Sequence, residues 1–119
     1  GAFNVTEYGT PKDPQQWKAL YAYSPYHHVK EGTAYPAMLF VSGENDPRVN
    51  PADSRKMVAR LQAASTSGLP ILLRTSSSSG HGASSLSESI KEQADVFSFL
   101  FQQLGVSYKP IAGGRQAQR

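Results

Sequence analysis

Two stretches decide the fold, AMLFVSGENDPRV at residues 37–49 and ILLRTSSSSGHG at residues 71–82. Each opens as a short apolar run bounded by turn formers, Pro36 and Gly43 around the first and Pro70 and Ser76 around the second. Runs of that length suit strands covered on both faces, as in a parallel sheet. Between them Asn50 supplies an N-cap, Pro51 the first helical position and Asp53 an acid in the first turn, with Met57, Val58, Leu61 and Ala64 as the apolar stripe. Strand, helix and strand with short connections predict a crossover unit of an α/β sheet. Both strands then end at one edge, where parallel sheets gather their reactive groups, and the loops leaving that edge carry Asp46 and His81.

Outward from this unit, Asp13, Pro14 and Gln16 predict a capped helix to about Ala22, with Gln16 as the reciprocal capping-box side chain and Trp17, Leu20 and Tyr21 sharing its buried face. Residues 1–12 read as irregular, and Ser24 to Pro36 as a long ordered loop. The longest helix is expected from about Leu86 to Leu104, where Leu86, Ile90, Ala94, Phe97, Phe101 and Leu104 recur at helical spacing and Gly105 closes it. The order helix, strand, helix, strand, helix reads as two right-handed crossover units.

The 119 residues allow one domain, and 39% hydrophobic residues support a globular chain with a modest core. The net charge of +3 is spread without a basic run or interleaved aromatics, so nucleic-acid binding is not expected. No segment is apolar enough to suggest a membrane span, and the protein reads as soluble, in the cytoplasm or the periplasm. Cysteine is absent, which excludes disulfides and thiolate metal sites. His27 and His28 are adjacent rather than four apart, so no metal site is expected, nor any cofactor. Lys109, Arg115 and Arg119 fall in residues 106–119, read as a flexible tail after a folded segment at 1–105.

Asp46 in an Asn-Asp-Pro turn has a purely local use, bonding backbone amides two residues on. Its second use depends on His81, which sits between Gly80 and Gly82 and can act as a general base if a carboxylate fixes its tautomer. Asp before His, each on a loop after a strand, is the order in which an α/β-hydrolase delivers the last two members of a Ser, Asp, His triad. No Gly-x-Ser-x-Gly occurs in the chain. The serines flanking His81 lack the strand-to-helix elbow of a nucleophile and read instead as loop solvation and a cap for the last helix. The chain therefore reads as the C-terminal part of an α/β-hydrolase fold, and its bare start, Gly1-Ala2-Phe3, as an internal boundary. Such a part leaves a sheet edge and an apolar face to be covered.

The stretch YAYSPYHHVKEGTAYPAMLFVSGENDPRVNPADSRKMVARLQ followed by PILLRTSSSSGHGAS resembles the C-terminal end of the catalytic domain of the prolyl oligopeptidase family of serine peptidases. YSPYH, the strand, NDPRV and GHG stand in the family's order and spacing, over roughly residues 6–105. The resemblance implies Asp46 and His81 as triad residues and Arg48 as the arginine that contacts a carbonyl of the bound peptide. It implies cleavage of short proline-containing oligopeptides after proline, with the rest of the catalytic domain and a propeller as partners. The serine-rich loop and the tail depart from the family pattern. On this reading the 119 residues alone are inactive. The alternatives are a non-catalytic, self-associating α/β module and, ranked last, a flavodoxin-like ligand binder.

Overall fold

The computed structural model describes residues 4–77, 80–81 and 85–109. Its elements in chain order are α1 (Val5–Tyr8), α2 (Pro14–Tyr23), a 3-10 turn (Tyr26–His28), β1 (Met38–Gly43), α3 (Pro51–Ala64), β2 (Ile71–Ser76) and α4 (Leu86–Leu104). The strands pair in parallel, with Met38 opposite Ile71 and Gly43 opposite Ser76. This is one complete crossover unit rather than two, because α2 and α4 are each joined to a single strand among the described residues.

The helix starts follow the sequence signals. Asp13 Oδ1 accepts from the Gln15 and Gln16 amides, Asn50 Oδ1 from Ala52 N, and Ser85 Oγ from Glu88 N. These bonds satisfy amides that the helices leave without an internal partner. At the far end of α4, Gly105 adopts φ +65° and the Val106 amide donates to Phe101 O. The capping box at α2 does not close as expected. The Asp13 amide is taken by Thr10 O, and Gln16 Oε1 accepts from Thr10 N instead. A further departure is α1, one helical turn in a segment read as irregular, ended by Gly9 at φ +87°.

Side chains alternate across the two-stranded sheet. Ile71 and Leu73 of β2, with Met38 and Phe40 of β1, face α3, where Val58, Leu61 and Ala64 complete the core with Val29. The opposite face carries Arg74 and Ser76, and here α4 approaches through polar groups. Arg74 Nε donates to Asp95 Oδ2 at 2.7 Å, and Ser76 Oγ donates to Glu88 Oε2 at 3.3 Å. The expectation of strands covered on both faces therefore fails on the α4 side. Leu72 and Val41 remain exposed, because α4 is held to this face by Arg74 with its acids and leaves a concavity between Phe99 and Leu39 and Leu72.

The apolar stripe of α4 itself lies in the open, with Leu86, Ile90, Phe97 and Leu104 all more than half exposed. Nor does α2 bury its aromatic face. Trp17 and Tyr21 stack at 5.1 Å, and Tyr21 meets the rings of His27 and His28, so the cluster shields itself only partly. The loop from Ser24 to Pro36 is ordered by its own bonds. Ser24 Oγ pairs with His27 Nδ1, the Lys30 amide donates to the Tyr35 hydroxyl, Gly32 N reaches Ala64 O, and Arg60 pairs with Glu31 and donates to Val29 O. His27 and His28 both use Nδ1 locally, the latter against Ser24 O. Residues 110–119, with Arg115 and Arg119, lie outside the described residues, and Lys109 is exposed. No helix among the described residues is long and apolar enough to cross a membrane.

Candidate functional site

The loops leaving β1 and β2 meet at the carboxyl edge of the sheet. Asp46 Oδ2 lies 2.9 Å from His81 Nδ1, across 35 residues of sequence. The other carboxylate oxygen, Oδ1, accepts from the Arg48 amide at 2.8 Å and the Val49 amide at 2.9 Å. Asp46 thus serves both uses that the sequence offers it. One oxygen closes the Asn-Asp-Pro turn, and the turn in return aims the other at the imidazole.

This division of labour has an electrostatic consequence. The Val49 amide is the largest influence holding the Asp46 carboxyl below the ordinary aspartate range, joined by the His81 ring and the Arg48 amide, while partial burial opposes them. The Asp46 side chain is 12% exposed and the His81 side chain 51% exposed. Asp46 is therefore an anion held in place by backbone, and His81 is a ring open to approach. With Nδ1 turned to the carboxylate, Nε2 lies on the far side of the ring, where a proton acceptor is useful.

A concavity of about 290 Å³ opens beside the pair, lined by Val41, Ser42, Val49, Ser54 and Glu92 together with the two site residues. Glu92 comes from α4, so the last helix contributes a wall as well as an anchor. Arg48 is exposed, and its backbone rather than its guanidinium is what touches Asp46. Gly82 and Ser84 lie outside the described residues. Ser85 acts as the helix cap, as the reading of the flanking serines expected.

Sequence reasoning passed over Asn45 and treated Gly80 only as a neighbour of His81. Asn45 Nδ2 donates to Ser77 O at 2.5 Å, bridging the two loops. A Cβ on Gly80 would stand 3.4 Å from Asn45 O, so the second loop passes close to the first just before His81. Signals existed for both: an amide side chain beside the acid, and a glycine where one loop must pass near another.

Comparison with known proteins agrees with this architecture. The model of the prolyl oligopeptidase family matches residues 1–107. The chain is 39% identical over 108 residues to a prolyl endopeptidase of Elizabethkingia miricola, covering 89% of this chain and 15% of that protein. It is 40% identical over 111 residues to prolyl oligopeptidase ophP of Omphalotus olearius, with 90% and 15% covered. Among solved structures, a prolyl endopeptidase superposes with TM-score 0.81 at 42% identity, covering 87% of this chain and 16% of that one. Oligopeptidase B of Leishmania major does so with TM-score 0.78 at 29% identity, covering 86% and 14%. The chain thus spans about 15% of the length of the curated relatives it matches. Its parallel strands and flanking helices are part of an α/β-hydrolase domain, and the chain belongs to the prolyl oligopeptidase family.

Proposed function

We propose that this chain supplies the acid and the base of a serine peptidase that cleaves short oligopeptides after proline. The observation that carries the reading is the 2.9 Å contact between His81 Nδ1 and Asp46 Oδ2, made between loops at one edge of the sheet. In this reading His81 Nε2 takes the proton of a serine hydroxyl as that oxygen attacks the scissile carbonyl, and returns it to the leaving amine. Asp46 stays ionised, fixes the tautomer and stabilises the imidazolium between the two transfers. Arg48 receives a carbonyl of the bound peptide on the acyl side, and its exposure beside the Asp46 turn suits that task.

The serine belongs to a part of the polypeptide outside these 119 residues, since they contain no Gly-x-Ser-x-Gly. Without it the segment should show no measurable peptidase activity. The rest of the catalytic domain, and a propeller limiting access to short peptides, would complete the enzyme. No cofactor enters this chemistry.

The test is labelling of the full-length protein containing this segment with a fluorophosphonate. Covalent modification of a serine within a Gly-x-Ser-x-Gly elbow, with loss of cleavage of a proline-containing peptide, is the expected result. An unlabelled protein that still cleaves would remove the serine mechanism. The exposed apolar stripe of α4 favours a second reading, self-association without catalysis, for the segment when it stands alone.

A further inference from the structure

We infer that Asn45 is a positioning residue that locks the acid loop to the histidine loop and so sets the aim of His81; the inference rests on the proposed roles of Asp46 and His81. One hydrogen bond and one close backbone approach meet at this residue. Its side-chain Nδ2 donates to the carbonyl of Ser77, the first residue beyond β2. Its backbone oxygen lies against Gly80, where a Cβ would approach it to 3.4 Å. Asn45 therefore bonds the second loop at Ser77 and passes close to it at Gly80, the residue before His81.

The geometry explains why a grip is needed here. His81 is half exposed, and Gly80 before it has no side chain with which to pack. The bond to Asp46 restrains one ring nitrogen, yet a ring held at a single point can still swing about it. Because Asn45 immediately precedes Asp46, the carboxylate and the clamp move as one body. The Asp46 carboxylate, already fixed by the Arg48 and Val49 amides, thereby becomes a reference frame for Ser77, Gly80 and His81. Placement errors of about an ångström at a proton-transfer group can cost up to about a hundredfold in rate, so one exposed amide can matter to turnover while adding little to stability.

The experiment is steady-state kinetics of Asn45→Ala, Asn45→Asp and Asn45→Gln in the full-length peptidase, with His81→Ala as the reference and active sites counted by fluorophosphonate titration. Loss of the amide donor in Asn45→Ala and Asn45→Asp should lower kcat per titrated site by about tenfold with KM within about twofold. Asn45→Gln, which keeps the donor, should recover most of that loss. A kcat within about twofold of wild type in both donor-less variants, or a fall matched by fewer titratable sites, would overturn the inference. If His81→Ala itself turns over normally, the assignment of the pair fails, and the inference falls with it. If His81→Ala is dead while the Asn45 variants are unaffected, only the clamp is refuted.

Discussion

At the residue scale one carboxylate performs two tasks. Asp46 is held below the ordinary aspartate range, first by the Val49 amide and then by His81 and the Arg48 amide. A carboxyl whose folded pKa is depressed stabilises the fold above its unfolded value, roughly pH 3.9, and that contribution is lost as pH falls through the folded pKa. Asp46→Asn should therefore lower Tm at pH 7, and the gap to wild type should close as the pH drops below about 4. Thermal melts of both proteins across that range check the sign. In the full-length protein, Arg48→Ala should raise KM for a proline-containing peptide with a smaller change in kcat, because its proposed contact is with bound substrate rather than with the migrating proton. A loss confined to kcat would place Arg48 in the chemical step instead.

At the element scale the core is α3 laid on one face of the β1-β2 pair. Leu61 is 1% exposed, and Leu61→Ala should destabilise by about 3 kcal/mol, read from urea unfolding. By contrast, α4 is tied down by Arg74, whose guanidinium meets Asp95 and Glu92, and by Ser76 with Glu88. Arg74→Ala should speed hydrogen exchange across α4 while leaving α3 unchanged, since the two helices lie on opposite faces. These elements also show how far the sequence was legible. Pro51 after Asn50 marked α3 because capping is local chemistry, and the apolar spacing from Leu86 to Leu104 marked α4. The pairing of Asp46 with His81 could be anticipated because strand ends and loop order determine which loops meet. The cover on the second sheet face could not be read, because Leu39 and Leu72 look alike whether a helix buries them or not. The Asn45 bridge escaped for a related reason: a contact across 32 residues leaves no periodic trace.

At the scale of the whole molecule the core is small. The buried apolar core among the described residues is limited to Val29, Val58, Leu61, Ala64 and Ile71. The stripes left open on α2 and α4 are apolar surfaces that a partner could cover. Sedimentation of the 119-residue chain alone should accordingly show concentration-dependent association, and Ile90→Glu with Phe97→Glu on α4 should suppress it. Turnover of a proline-containing peptide by His81→Ala in the full-length protein tests the proposed pair most directly. A fall in kcat of at least about a thousandfold, with active-site serine and fold intact, is the predicted result. Turnover close to wild type would contradict the assignment of Asp46 and His81 as the acid and base of the enzyme.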